Sequence, residues 1–150
     1  MTAPSSARHA EPHIARVVQF FEAMAPADLD RLGDIYAGPA RFKDPFNDVV
    51  GLAAIRRVYA HMFDALTGPR FSIHQAIGGA ADCALLWDMD FALRGKPMRI
   101  HGATHLQFDA SGRIALHRDY WDAAEELYAK LPVIAVLMRA LQRKLATPPA

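Results

Sequence analysis

The sequence is poor in the residues on which disulfide-bonded, redox and metal-binding proteins depend. Cys83 is the single cysteine among 150 residues, which excludes an internal disulfide and any CxxC redox or metal motif. Of the seven histidines, His101 and His105 share a strand face but lie about 13 Å apart at strand rise. Nothing resembles a glycine-rich phosphate loop or a nucleophile elbow. We therefore expect no metal and no cofactor.

Long apolar runs and an excess of charge of one sign are also missing. No stretch approaches the roughly 20 apolar residues that span a bilayer, and the first residues lack the basic-then-apolar pattern of a secretory signal. Lysine and arginine number 17, aspartate and glutamate 16, and the net charge is +1, so no overall field favours nucleic acid. These absences predict a cytoplasmic protein without a transmembrane segment or a nucleic-acid partner.

What is present is the composition of one globular domain. Hydrophobic residues make up 52% and charged residues 22% of the chain, as in ordinary globular proteins. A chain of this length buries roughly two-thirds of its unfolded surface. Residues 1–12 have no hydrophobic period and predict a flexible leader, so we expect a single domain over 13–146.

The spacing of apolar residues predicts helices first and strands later. The first predicted elements are helices over 13–24, 27–36 and 52–66, with a short strand over 40–44 before the third helix. Strands follow around 71–74, 85–93, 98–108 and 113–121. The last predicted element is a helix from Asp122, which Pro132 interrupts. Gly38-Pro39 and Gly68-Pro69 are expected to end the second and third helices. Helices segregated from antiparallel strands indicate the α+β class, with helices covering one face of a curved sheet and a conical cavity between the layers.

A carboxylate is predicted on the apolar face of the sheet. Strand alternation places Trp87, Met89 and Phe91 on the inner face, and on the last strand Asp119 shares a face with Trp121. An aspartate among such side chains suits a general base, because desolvation raises the pKa of a carboxyl group. The alternative is an inward Asp119 neutralised by Arg118, or a strand that faces the other way.

Two further polar residues are candidates for the cavity. Asp44 lies at a strand end before Pro45, where it is either a turn residue, since Asp-Pro is a common turn pair, or a second functional carboxylate. Tyr59 lies on the apolar face of the third helix with Ile55 and Phe63. A buried tyrosine needs a hydrogen-bond partner, which can be a backbone carbonyl or a ligand.

The segment 132–146 is apolar and basic. No acidic residue follows Glu126, while Lys130, Arg139, Arg143 and Lys144 add positive charge. Such a segment can dock on a partner subunit, close the cavity or lie on an anionic membrane surface. Packing on its own protein is the commonest outcome, and the sequence leaves these roles open.

The order of elements over about residues 13–130 resembles the NTF2-like superfamily, with its cystatin-like cone. The motifs that resemble its ketosteroid isomerase branch are Phe42-Lys43-Asp44-Pro45 and the helix from Gly51 to Tyr59. The resemblance implies Asp44 as the base and Tyr59 as a hydrogen bonder in the pocket. The oxyanion donors of that family, a tyrosine and a protonated aspartic acid, fall on Phe21 and Thr104. Losing one such donor typically costs about 10²–10³ in rate, which predicts a poor steroid isomerase.

The C-terminal half resembles the SnoaL-like polyketide cyclases. The segments that carry this resemblance are His105-Leu106, Gly112-Arg113-Ile114 and His117-Arg118-Asp119. It implies Asp119 as the base and His105 as its assistant. The isomerase alignment instead places Thr104 inward and His105 outward, and a β-bulge would reconcile the two. The related limonene-type epoxide hydrolases need two aspartates and an arginine around one water, but Arg99 and Arg118 alternate to the outer face.

Taken together, these patterns predict a cofactor-independent enzyme that abstracts a proton next to a carbonyl in a small hydrophobic, steroid- or polyketide-like substrate. The alternatives are a binding module for a hydrophobic metabolite and an epoxide hydrolase-like enzyme. The resemblance also implies a homodimer through the outer sheet face. The expected catalytic residues are Asp44, Asp119, Tyr59 and His105. The side chains expected to contact the ligand are Phe21, Phe63, Trp87, Met89, Phe91, Thr104 and Trp121.

Overall fold

A computed structural model describes residues 11–126 and 132–145. The elements are α1 (Pro12–Ala23), a 3₁₀ helix (Pro26–Asp34), β1 (Tyr36–Lys43), β2 (Asp48–Val50), α2 (Leu52–Ala65), β3 (Thr67–Gly78), β4 (Asp82–Leu93), β5 (Lys96–Phe108), β6 (Ile114–Tyr120), α3 (Ala123–Glu126) and α4 (Pro132–Leu145). Of the predicted leader over 1–12, the part before Glu11 lies outside the described residues, and Pro12 already belongs to α1.

The six strands form one curved, open sheet in the order β2-β1-β6-β5-β4-β3. Helix α1 packs against β3, while α2 packs against β1, β3 and the 3₁₀ helix. The predicted α+β class, with a curved sheet covered by the N-terminal helices, is confirmed. One pair departs from the antiparallel expectation, because β1 and β6 run parallel.

Two Gly-Pro pairs that were predicted to end helices lie inside strands instead, although the third helix ends within one residue of its predicted bound. The second helix stops at Asp34, so Gly38-Pro39 lies inside β1. Helix α2 ends at Ala65, so Gly68-Pro69 lies inside β3. In each strand the pairing register shifts around the proline. Such an irregularity accommodates a residue that has no N–H to donate to the ladder.

The core lies between the inner sheet face and the N-terminal helices. The largest fully buried side chains are Tyr36, Phe42, Ile35, Ile55, Leu85, Leu106, Ile114 and Val17. Cys83 is also buried, and burial raises the pKa of its thiol to about 11. The Trp87 indole covers Gly102, where an added Cβ would lie 2.4 Å from Cη2 of the ring. Glycine at this position is therefore a packing requirement of the inner sheet face.

The described C-terminal residues form two helices, and the predicted interruption before Pro132 falls on 127–131, outside the described residues. The Asp122 carboxylate accepts hydrogen bonds from the backbone nitrogens of Ala124 and Glu125, at 2.9 and 3.2 Å, and so starts α3. Helix α4 exposes apolar side chains, among them Leu137 and Leu145. In the described part of the chain, no helix has the length and apolar character needed to cross a bilayer.

Candidate active site

A cavity of about 360 Å³ opens between the inner face of the sheet and the helices, and its wall is mostly apolar. The predicted site residues that line it are Phe21, Asp44, Tyr59, Trp87, Met89, Phe91, Thr104, Asp119 and Trp121. Phe63 does not line it, which corrects the sequence-based expectation. The stripe of α2 that faces the cavity runs through Val58, Met62 and Leu66, so Phe63 points to its side.

The Asp119 carboxylate is positioned from two strands. It lies on β6, directly opposite Thr104 of β5. Its Oδ1 atom accepts a hydrogen bond from Thr104 Oγ1 at 2.5 Å and another from His117 Nε2 at 2.8 Å. Only 16% of the Asp119 side chain is exposed. The carboxylate is therefore a fixed and partly buried group on a largely apolar wall.

The direction of these hydrogen bonds follows from the donor at one end. An indole N–H can only donate, and Trp87 Nε1 donates to Thr104 Oγ1 at 2.7 Å. The Thr104 hydroxyl accepts that hydrogen bond and donates its own to Asp119. The negative charge of Asp119 is thus stabilised by two donors, Thr104 and His117.

The other end of the network reaches two buried tyrosines. His117 Nδ1 lies 2.7 Å from the Tyr36 hydroxyl, and that hydroxyl lies 2.8 Å from the hydroxyl of Tyr59. A chain of hydrogen bonds thus runs from Tyr59, on the cavity wall, to the Asp119 carboxylate.

Sequence reasoning missed two members of this network. His117 is two residues before Asp119 on the same strand face, which is a signal that alternation provides. Tyr36 was assigned to the end of a helix, although it is the first residue of β1. Its contact with His117 joins residues 81 positions apart, and no local pattern in the sequence reports such a pairing.

Burial raises the pKa of both tyrosines well above the ordinary value of 10.0. For Tyr36 the next cause is the neighbouring Tyr59, and for Tyr59 it is the charge of Asp119. Loss of solvation disfavours a phenolate, and a nearby negative charge disfavours it further. Both hydroxyls therefore stay protonated, and able to donate, across the neutral range.

These shifts predict a loss of stability above pH 10. The unfolded chain releases the two phenolic protons at pH 10, whereas the folded chain retains them. The stabilisation is complete below pH 10 and falls as pH rises toward the folded pKa values, by up to about 1.4 kcal/mol per pH unit for each tyrosine. Urea unfolding below and above pH 10 measures this slope. In Tyr59→Phe the slope of the unfolding free energy against pH should become smaller by the contribution of one proton. An unchanged slope would contradict the burial of a protonated Tyr59.

Asp44 is the turn residue that the Asp-Pro pair predicts, and its functional role stays a prediction. It lies in the turn between β1 and β2, where its Oδ1 accepts from the backbone nitrogens of Phe46 and Asn47 at 2.8 and 2.6 Å. The Asn47 side chain also donates to it. The carboxylate thus holds the turn while it lines the cavity.

His105 lies on the opposite face of β5. Its ring is 3.4 Å from the Asp82 carboxylate, and β4 and β5 pair without a shift through this region. The β-bulge that would have turned it inward is absent from the ladder between these two described strands. The expectation that His105 assists Asp119 inside the cavity is therefore wrong in geometry. His117 is the histidine that contacts Asp119.

No arginine or lysine occurs among the described residues that line the cavity. Arg99 pairs with Asp90 at 2.6 and 2.8 Å, and the Arg118 guanidinium lies over the Tyr120 ring. Within the cavity, the described residues therefore place no arginine beside the two aspartates, as an epoxide hydrolase-like centre would need.

Comparison with known proteins gives one family match. The family model described as a SnoaL-like domain matches residues 17–117, which is most of the chain. No curated protein matches the sequence.

Solved structures share the fold at low sequence identity. A hypothetical protein with a ketosteroid isomerase-like fold from Catenulispora acidiphila, in complex with trimethylamine, is 16% identical with a TM-score of 0.69, over 83% of this chain and 96% of that one. An LEH-like epoxide hydrolase from M. tuberculosis is 19% identical with a TM-score of 0.66, over 91% and 95%. An NTF2-like protein of unknown function from Burkholderia pseudomallei is 17% identical with a TM-score of 0.69, over 77% and 94%. At these identities the likeness shows the fold alone.

Proposed function

The chain belongs to the SnoaL-like domain family, and on that premise we propose that it is a cofactor-independent enzyme that removes a proton from carbon next to a carbonyl group. The substrate we propose is hydrophobic and of steroid or polyketide size. A homodimer and a cytoplasmic location stay predictions from the sequence.

The observation that carries this proposal is the asymmetric environment of Asp119. Both hydrogen bonds from the described residues fall on Oδ1, and the described residues direct no donor at Oδ2. A general base needs an oxygen with a free lone pair within reach of the substrate. We assign proton abstraction to Oδ2, with His117 and Thr104 holding the carboxylate in place.

The reaction also needs a donor for the charge that develops on the carbonyl oxygen. Phe21 has no donor, and the Thr104 hydroxyl is directed at Asp119. We assign this role to Tyr59, which lines the cavity and whose hydroxyl hydrogen-bonds Tyr36. A substrate oxygen beside that hydroxyl would accept a hydrogen bond from Tyr59.

The proton balance is simple. The C–H proton moves to Asp119 Oδ2, and the electron pair of the C–H bond becomes an enolate. In an isomerase the proton returns to a different carbon. In a cyclase the enolate carbon attacks a second carbonyl carbon, and the oxygen of that carbonyl takes up the proton from Asp119. Both outcomes use the same base, so the geometry supports the class of reaction rather than one product.

Ligand binding without catalysis is the second candidate. The observation that favours it is that Phe21 and Thr104 stand where the ketosteroid isomerase branch has its two oxyanion donors, in a cavity that is mostly apolar. The Catenulispora acidiphila protein is in complex with trimethylamine, and a small organic ligand is also what this cavity would take in a binding role.

Proton transfer itself separates the two candidates. The wild-type protein is incubated with a β,γ-unsaturated ketosteroid, and the absorbance of the conjugated product is followed. Exchange of deuterium from the α-carbon of hydrophobic ketones into water is measured in parallel, because it detects proton abstraction without isomerisation. Exchange above the buffer rate supports the enzyme. If these ketones bind without isomerisation or exchange, the result would instead support the binding module.

A further inference from the structure

The mouth of the cavity combines one carboxylate with two aromatic rings. Asp44, Phe46 and Trp121 all line the cavity, and the rings of Phe46 and Trp121 are in edge contact at 5.5 Å. Phe46 is 56% exposed, and its backbone nitrogen donates to Asp44. The carboxylate and the exposed ring therefore belong to the same turn.

We infer that this turn is a subsite for an organic ammonium group, so that the ligand is a hydrophobic molecule with a protonated or quaternary amine. An aromatic ring attracts a cation over its face, and the attraction increases when the site is partly desolvated. The Asp44 carboxylate supplies the opposite charge beside the ring. That the ligand is also a substrate rests on the proposed function, whereas its binding does not.

The charges on the cavity wall support a cationic ligand. Its described lining residues include two carboxylates, Asp44 and Asp119, two histidines, His61 and His117, and neither lysine nor arginine. A cleft with low-dielectric walls and charge of one sign concentrates ligands of the other sign. A carboxylate ligand would meet only repulsion from the two carboxylates.

The lysine and arginine side chains next to Asp44 and Asp119 in the sequence are engaged elsewhere. Lys43 and Arg118 line a separate shallow depression on the other side of Asp44 and Asp119. The Lys43 ammonium is 3.8 Å from Asp48, and the Arg118 guanidinium lies 4.7 Å from the centre of the Tyr120 ring. Neither of them lines the cavity, so Asp44 keeps its charge available to a ligand.

Asp44 suits an anchoring role better than Asp119. Three nitrogens hold Asp44 Oδ1, while among the described residues Oδ2 receives only the Asn47 side-chain amide at 3.2 Å. This second oxygen can therefore face an ammonium group at the mouth, as a hydrogen-bond acceptor for a protonated amine or as the opposite charge for a quaternary one. The apolar part of the ligand would extend inward toward Trp87 and Met89, and Asp119 would remain free to act as the base.

The test is a comparison of charged and uncharged ligands of the same shape. Both tryptophans of the chain, Trp87 and Trp121, line the cavity, so intrinsic fluorescence reports its occupancy. The probes are phenyltrimethylammonium, its uncharged isostere tert-butylbenzene, and phenylacetate. In Asp44→Asn we expect the Kd of phenyltrimethylammonium to rise by about five- to tenfold, as for a partly screened ion pair. The Kd of tert-butylbenzene should change by less than about twofold.

Two further variants keep the result interpretable. In Asp44→Asn the amide oxygen can still accept the backbone hydrogen bonds of the turn. Asp82→Asn, on the outer face, is the matched control and should leave all three Kd values unchanged. Phe46→Leu keeps the apolar surface but removes the ring, and should weaken only phenyltrimethylammonium, by about two- to fivefold.

The outcomes separate this inference from the catalytic proposal. Two results would overturn the ammonium subsite. One is an equal rise in the Kd of phenyltrimethylammonium and of tert-butylbenzene in Asp44→Asn. The other is tighter binding of phenylacetate than of phenyltrimethylammonium to wild type. Neither result touches the role of Asp119, which is measured by turnover. In Asp119→Asn we expect the ammonium still to bind more tightly than phenylacetate, and loss of that order would assign the anchor to Asp119 instead.

Discussion

Replacing Asp119 by asparagine is expected to lower kcat for proton transfer by about 10²–10⁴-fold, the usual contribution of a positioned general base. The amide oxygen of asparagine can still accept from Thr104 and His117, so the local structure is retained. The NH₂ group that replaces Oδ2 cannot accept the proton. The measurement is the rate of product formation or of deuterium exchange, with the Kd of an uncharged ligand determined on the same preparation.

Asp44→Asn is the matched comparison, because it removes the other carboxylate of the cavity. If Asp119 is the base, Asp44→Asn should retain most of the kcat on an uncharged substrate. Turnover lost only in Asp44→Asn would instead assign the base to the position that the ketosteroid isomerase resemblance implies. An Asp119→Asn protein with wild-type kcat would refute the proposed mechanism.

Phe42→Ala is expected to lower the free energy of unfolding by about 3–5 kcal/mol, as for other fully buried aromatic residues. Phe42 is only 2% exposed. Its ring centre lies 4.6 Å from that of His117 and 5.7 Å from that of Tyr59. Phe42 also lines the cavity, so alanine would enlarge the cavity beside the hydrogen-bond network, and the network would lose its packing support together with the core.

Urea unfolding of wild type and Phe42→Ala measures this effect, and Phe46→Ala is its control. Phe46 has the same ring but is exposed at the cavity mouth, so its replacement should change the free energy of unfolding by less than about 0.5 kcal/mol. Similar values for the two variants would mean that Phe42 is not the packing support of the network.

The fold could be predicted because its signals are local. Helical spacing followed by two-residue alternation gave the α+β class, and alternation also put Asp119 on the same face as Trp121. The role of the Gly-Pro pairs was predicted wrongly, because a proline at a register shift in β1 or β3 has the same local sequence as a proline that ends a helix. The position of Tyr36 on a strand depended on its pairing with distant residues, which local propensity does not contain.

The candidate site was predictable only in part, for the same reason. Alternation indicates which side chains share a face, but not which of them touch. His117 was visible as an inward residue, yet its link from Asp119 to Tyr36 depends on the parallel pairing of β1 with β6. The resemblance to the cyclases selected His105, whereas the regular β4–β5 ladder directs that side chain outward.

The place of β6 in the sheet has a consequence for how the protein is made. The strand lies between β1 and β5, although it is the last of the six to leave the ribosome. Until residues 114–120 are synthesised, β1 and β5 each present an unpaired edge, which is a template for aggregation. The same strand carries His117 and Asp119, so a nascent or truncated chain that ends before it has neither a continuous sheet nor the proposed base. Completion of the sheet and acquisition of the candidate site are therefore one late event, delayed by the long-range pairing that it requires.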